Sequence, residues 1–250
     1  MNLFFDIFFF RYKHFGKSVV AEITKYPEED ARCELIWLRL YDSFIMALDG
    51  IDNGVPQFET ELTPRYKITT DLASRVGRLN PSWSEPGDEE TSQRQFLKAV
   101  ALAGGEFEAA VVSFQSDWFL ARELVREAFE TQATTNGSGD DQVLVLPRAC
   151  PWKGHLFDYE EEKGLLGRTK YVVYSEHATS WRVQAVPKHI SVFGDRLSLP
   201  EAWRGIRDQQ LSDLTGVPGC IFVHASGFIG GASSKEAALR LAKLSLQLQQ

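Results

Sequence analysis

The feature that most constrains this chain is a change of hydrophobic pattern across Thr131–Asp141. That segment reads TQATTNGSGDD, rich in Gly, Ser and Asn with no apolar residue beyond Ala133, which is the composition of a linker. Before it, apolar residues recur at steps of three and four, the period of an amphipathic helix. Trp37, Tyr41, Phe44, Leu48 and Ile51 form one such stripe between Glu34 and Ile51. Phe107, Val111, Phe114, Trp118, Ala121, Val125 and Ala128 form another between Gln93 and Phe129, where Gly104-Gly105 is expected to break the run into two helices. After the segment come short β-branched and aromatic runs, Val143–Leu146, Tyr171–Tyr174, Trp181–Val186 and Cys220–His224, bounded by turn formers, and hence a sheet. The expected organisation is a helical part over 1–130, a linker over 131–141 and a mixed-sheet α+β domain over 142–250.

Helices are expected again only at the C-terminus, where Ser233-Ser234-Lys235-Glu236 has a capping-box pattern ahead of an Ala/Leu-rich run to about Leu248. At the other end, Met1 to Arg11 carries large apolar residues but is interrupted by Asp6 and ended by Arg11 and Lys13. A spanning helix needs roughly 20 apolar residues, and a secretory signal carries its positive charge before the apolar run. The segment reads as the first turns of a buried helix that continues through His14, Phe15 and Val19 to about Tyr26. At 250 residues, 44% apolar and 24% charged, the chain has enough material for real cores, and its three Cys rule out a disulfide scaffold. A net charge of −7 argues against indiscriminate binding to nucleic acid or to anionic membrane, so phosphate chemistry must sit in a local site.

Walker, GxGxxG, GxSxG and HExxH motifs are absent, and Cys33, Cys150 and Cys220 lack metal-ligand spacing. Three groups could carry chemistry. Asp49 and Asp52 close the helix that begins near Glu34. Projected at about 100° per residue, Asp52 falls inward and Asp49 at the edge. An inward carboxylate needs a cation or several donors, so a divalent metal and a capped helix end are both open readings. The second group is Gly219 to Gly231, reading GCIFVHASGFIGG, followed directly by the capped helix. Strand, glycine-rich loop and helix N-terminus make an anion-binding arrangement, with His224 and Ser226 as added donors; equally, the glycines could serve only a tight turn. The third group is basic and aromatic: Trp152-Lys153, Trp181-Arg182, and Trp203-Arg204-Gly205-Ile206-Arg207. Such pairs could bind phosphate while stacking on a base, or divide between core and surface ion pairs.

The segments LDGIDNGVPQF from Leu48, PRYKITTDLASRVGRLNPSW from Pro64, DWFLAR from Asp117, CPWKGHLF from Cys150, WRVQAVPK from Trp181, LPEAWRGIRDQQL from Leu199 and GVPGCIFVHASGFIGG from Gly216 resemble the melanocyte-proliferating-gene-one family. The match runs in order from about Phe8 to the C-terminus. The resemblance implies a branch of the DHH phosphoesterase superfamily, in which a metal-binding catalytic domain, α/β in the complete family, precedes a smaller substrate-binding domain. It further implies metal-dependent phosphodiester hydrolysis using Mn or Mg, described in eukaryotic members as 3′-to-5′ RNA exonuclease activity of nucleus and mitochondrion.

Family members carry a His-Asn-Gly-Thr-Phe-His-Cys-Asp-Glu run and an Asp-His-His triplet ahead of the matched part, and neither occurs here. The resemblance therefore implies an N-terminally truncated member with no complete catalytic set, in which Asp52, or less favourably Asp49, is the remaining metal ligand and the metal is not well held. It places substrate contacts at His224, Ser226, Gly227, Gly230 and Gly231, with Lys153, Arg182 and Arg204 around the same cleft. RNA or a nucleotide phosphate is the expected partner, and no membrane. A non-catalytic nucleic-acid-binding module, or a partner of a full-length relative, is the alternative function.

Overall fold

The computed structural model describes residues 10–59, 63–85, 87–135, 142–190 and 192–249. The apolar run of residues 1–9 and most of the polar segment, 136–141, lie outside the described residues. Two compact units meet in sequence between Phe119 and Leu120 rather than at the polar segment. The reason is packing: Val125 is buried with Leu144, Leu146 and Val172 of the sheet, with Ala128 and Phe129 against them, so the helix after residue 119 belongs to the second unit.

The first unit is helical. A π turn, Tyr12–Gly16, leads into α1 (Lys17–Thr24). Its buried residues are Tyr12, Gly16, Val20 and Thr24, whereas Phe15 and Val19, expected inside, are exposed. Asp30 caps α2 (Ala31–Leu40) by accepting from the Arg32 amide, and a second π turn, Tyr41–Ile45, joins it to α3 (Met46–Asp52). Asp71 and Asp88 cap α4 (Leu72–Gly77) and α5 (Glu89–Ser113) in the same way, accepting from Ser74 and Thr91 amides. The helix α5 runs unbroken through Gly104-Gly105, because each glycine costs only about 1 kcal/mol and the flanking run is made of good helix formers. The interruption falls later, at a π turn over Phe114–Trp118 before α6 (Phe119–Thr135). The core joins Tyr12, Val20, Cys33, Ile36, Leu40, Ile45 and Val111. The Tyr12 hydroxyl donates to the Trp37 carbonyl at 2.7 Å, and burial pushes its ionisation far up.

The second unit is built on a five-stranded sheet in the order β1 (Val143–Leu146), β2 (Tyr171–His177), β3 (Ser180–Ala185), β7 (Ile229–Ala232), β6 (Cys220–Val223). The pair β1 and β2 is parallel and the rest antiparallel, so the fold is α+β with a mixed sheet, as the sequence pattern implies. A hairpin, β4 (Pro187–His189) and β5 (Val192–Asp195), forms a separate two-stranded sheet. Two helices interrupt what the sequence reads as strands alone: α7 (Trp152–Glu162) and α8 (Asp208–Thr215). The last helix, α9 (Lys235–Gln247), is capped by Ser234, whose hydroxyl accepts from the Ala237 amide, one residue later than the expected box. Among the described residues no helix is long and apolar enough to cross a membrane.

The alternation of strand side chains gives the sheet two different faces. One carries Tyr171, Val173, Val183, Ala185 and Val223 into the main core with Trp203, Leu211 and the Ala237, Ala238 and Leu241 stripe of α9. The other is covered over β1 and β2, where Leu144, Leu146 and Val172 pack with Trp152 and Leu156 of α7. Over β3, β7 and β6 that face instead bears Arg182, Gln184, Ile229 and Phe222, all partly exposed. Behind α7, the fully buried Glu160 carboxylate accepts from the Gly167 and Thr169 amides at 3.0 and 2.8 Å and pairs with Arg196 at 2.7 Å. Both of its oxygens are thus partnered, which a buried charge requires.

Candidate functional site

The open half of the second sheet face is organised by one cross-strand row. Leu146 is in register with Tyr174, Tyr174 with Arg182, Arg182 with Gly231, Gly231 with Phe222, and Phe222 with Arg207 on an outer bridge. Residues directly opposite in a sheet project to the same side, so these side chains share a face. Gly231 is the gap in the row. A Cβ there would lie 2.6 Å from Phe222 Cε1 and 3.0 Å from Arg182 Nη1. The missing side chain lets the ring lean across β7. The ring meets the Arg182 guanidinium at 5.3 Å and that of Arg207 at 5.8 Å, both cation–π distances.

The two cations differ in their partners. Arg182 is ion-paired with Glu176 and donates to Ser180 Oγ at 2.8 Å, so its charge is largely answered. Arg207 is exposed, and among the described residues it makes no ion pair. Its place is set by backbone: Gly205 N donates to the Val223 carbonyl at 2.9 Å, and Val223 N to that of Ile206 at 3.0 Å, which holds this segment along the edge of β6.

Two residues beyond Phe222, roughly 7 Å along the strand and on the same side, is His224. It opens the hairpin between β6 and β7: its amide donates to the Ile229 carbonyl at 2.9 Å and its carbonyl accepts from Gly227 N at 2.8 Å. The Ser226 amide donates to His224 Nδ1 at 3.2 Å, and the Ser226 hydroxyl lies 2.9 Å from the same nitrogen. With Nδ1 committed as an acceptor, the neutral ring carries its proton on Nε2, a donor for an anion. Phe228 packs edge-on to the imidazole, ring centroids 4.9 Å apart. Gly227 is required for conformation, with φ of +78° and a Cβ that would lie 3.0 Å from the Leu199 carbonyl oxygen.

The expected glycine loop on a helix N-terminus is therefore not what forms. Gly230 and Gly231 sit inside β7, and the whole of that strand, about 13 Å at its usual rise, separates the His224 turn from the start of α9. Their glycines serve close packing: a Cβ on Gly230 would meet Leu199 Cδ1 at 3.0 Å and the Phe222 carbonyl oxygen at 3.2 Å. Nor does one cleft gather the three expected cations. Arg204 donates from Nε to the Leu199 carbonyl at 3.1 Å, beside Gly227, with Leu199 in the core on the opposite face. Lys153 lies exposed in the first turn of α7. Of the three, only Arg182 belongs to the row.

The two aspartates exchange places relative to the helical projection. Asp49 is buried at 2% exposure and Asp52 is exposed. The buried stripe runs Cys33, Ile36, Leu40, Ile45, Asp49, with a five-residue step across the π turn Tyr41–Ile45. That wider turn holds one more residue than an α turn, so everything after it lags in phase and Asp49 rotates onto the inner face. Asp49 Oδ1 accepts from Asn53 Nδ2 at 3.3 Å, and burial, with Asp49 and Asp42 adding to it, raises the Tyr41 hydroxyl above its ordinary range. A divalent ion needs several oxygen or nitrogen ligands. Among the described residues no three His, Cys, Asp or Glu side chains converge to hold one, and of the two aspartates Asp49 is buried while Asp52, the last residue of its helix, is exposed. These residues do not fit a metal centre by themselves.

Phe222 is the member of this face to which the sequence assigns no role. Arg207 is visible as a basic residue near Trp203, but the register that brings it beside Phe222 depends on a bridge between distant segments.

A family profile described as "Uncharacterised protein family (UPF0160)" matches residues 10–246. The chain is 41% identical to the MYG1 protein of Dictyostelium discoideum over 92% of its own length and 69% of that protein's. It is 42% identical to the MYG1 exonuclease of Rattus norvegicus and 41% identical to that of Homo sapiens, in each case over 94% of this chain and 61% of the relative. The chain thus spans between three fifths and seven tenths of these relatives. No solved structure matches it significantly. Coverage of nearly the whole chain at this identity establishes that it belongs to the MYG1 family (UPF0160).

Proposed function

We propose that this chain supplies the substrate-holding part of a phosphodiester-cleaving protein of the MYG1 family, and that the ligand held is single-stranded RNA or a nucleotide phosphate. The observation that carries the reading is the row containing Arg182, Gly231, Phe222 and Arg207, with His224 along the same strand from Phe222. It puts a guanidinium that makes no ion pair among the described residues, and an Nε2 donor, on one half-open sheet face of a chain whose net charge is −7. A local cationic site on an acidic protein selects phosphate without indiscriminate binding. The relatives called exonucleases support the same ligand class.

The chemistry implied by the likeness to DHH phosphoesterases is metal-assisted hydrolysis, in which divalent ions lower the pKa of a bound water. Asp49 by itself does not hold such ions, so no catalytic step is assigned to this chain. Its own residues orient the phosphate: Arg207 through its guanidinium fork and His224 through Nε2–H. The reading carries with it the intracellular sites, nucleus and mitochondrion, of the eukaryotic family. The misfit of the metal ligands favours a binding role for this chain when it stands alone.

The test is titration of the full chain with a labelled oligoribonucleotide at low salt, with and without Mn²⁺. Binding that weakens with salt, and no cleavage, is expected. Mn²⁺-dependent turnover abolished by Asp49→Ala or Asp52→Ala would overturn the metal assignment, and absence of binding by the folded chain would overturn the substrate-holding role.

A further inference from the structure

Phe222 is a large aromatic ring left partly exposed on the sheet face, whereas Val183, Ala185 and Val223 on the opposite face are in the core. Its position is not incidental. Gly231 directly opposite leaves no Cβ, so the ring lies across β7, and the guanidinium groups of Arg182 on β3 and Arg207 on the outer bridge stand 5.3 and 5.8 Å from its centroid. Arg182 is tethered by Glu176 and Ser180, which fixes its plane, while Arg207 keeps its charge unanswered among the described residues. Phosphate recognition needs only the cation. An aromatic ring beside it adds a surface for a flat, unpaired base, because every base has a π face and stacking tolerates any sequence.

Resting on the proposed phosphodiester-binding role, we infer that Phe222 and Arg207 form a platform on which an unstacked nucleobase lies, with the adjoining phosphate on Arg207. The ligand class is then single-stranded nucleic acid, and a base-free phosphodiester or an inorganic polyphosphate is discriminated against. Duplex is excluded for the same reason, since its bases are stacked on one another and present no free face. Gly231 is the positioning residue: it makes the room in which the ring lies, and it touches no ligand.

The experiment compares the full chain and its variants in binding two probes of equal length and charge, a short labelled oligoadenylate and the same oligomer with abasic riboses. The wild-type chain prefers the oligoadenylate by about five-fold or more, the lower end of what one stacked base contributes. Phe222→Leu abolishes that preference and Phe222→Trp retains it. Arg207→Gln weakens both probes and flattens the salt dependence. Thermal unfolding of each variant confirms that it is folded, and Phe222→Trp serves as the internal control for the ring's place. Equal affinity of the wild type for the two probes, or a preference that survives in Phe222→Leu, would overturn the platform and leave phosphate holding intact. Binding of neither probe by the folded wild type would overturn the phosphate-holding role, and the platform with it.

Discussion

Gly231 and Phe222 face one another on adjacent strands, and the Phe222 ring fills the space that a side chain at 231 would occupy, with Cε1 2.6 Å from an ideal Cβ. The same Cβ would sit 3.0 Å from an Arg182 nitrogen, so the glycine controls the geometry of both neighbours.

Gly231→Ala is accordingly expected to displace the Phe222 ring and lower stability by about 1–3 kcal/mol, the usual effect of an added carbon in a filled site. Chemical denaturation reads the stability change, and oligoadenylate binding reads the ring. Unchanged values for both would show that the ring moves aside freely.

Glu160 and Arg196 form a buried pair that also satisfies the Gly167 and Thr169 amides. Glu160→Ala leaves a guanidinium of 6% exposure without its carboxylate and is expected to cost about 3–5 kcal/mol. The double replacement Glu160→Leu, Arg196→Met should be milder than the single, because no uncompensated charge remains buried. Urea unfolding of the three proteins tests the order, and equal loss in single and double variants would contradict it.

The Arg32 side chain, with its amide adding to the effect, holds the Asp30 carboxyl down to about 2 from an ordinary 3.8. A carboxyl lowered in the folded state contributes stability that is complete above the unfolded value and is lost as pH falls through the folded one. The helix Ala31–Leu40, which Asp30 caps, should therefore weaken between about pH 4 and pH 2. Asp30→Asn keeps a capping oxygen but not the charge, so its melting temperature should fall less steeply over that window. Parallel acid limbs for the two proteins would refute the assignment.

Asp49 is buried and Asp52, at the end of the same helix, is exposed, without converging ligands among the described residues. Millimolar Mn²⁺ is expected to leave the thermal midpoint of the chain unmoved, since only an ion bound to the folded state raises it. Asp52→Ala should change stability by no more than about 0.5 kcal/mol, as for other exposed sites. A Mn²⁺-induced rise that disappears in Asp49→Ala would instead reveal a working site.

Much of the architecture was legible in residue order, because helical and strand periods are local properties. The stripes from Trp37 and from Phe107 are helices, and the runs at Val143, Tyr171, Trp181 and Cys220 are strands. Local spacing failed where geometry departs from the ideal repeat. The π turn at Tyr41–Ile45 exchanges the roles of Asp49 and Asp52, and a glycine pair that reads as a breaker continues a helix. The strand Ile229–Ala232 was hidden because two of its four residues are glycine, which carries no strand preference of its own.

By itself, then, the sequence determined the α+β class, the family and the short list of basic, aromatic and glycine residues from which a site is drawn. Only the tertiary structure decided which of them meet. Register across β3, β7 and β6 aligns Arg182, Gly231, Phe222 and Arg207, which come from four separate segments, while Arg204, three residues from Arg207, turns to the Leu199 carbonyl instead. Hydrogen bonding between strands is long-range, and a shift of one residue would send each side chain to the other face of the sheet. Composition and local period carry no information about that choice.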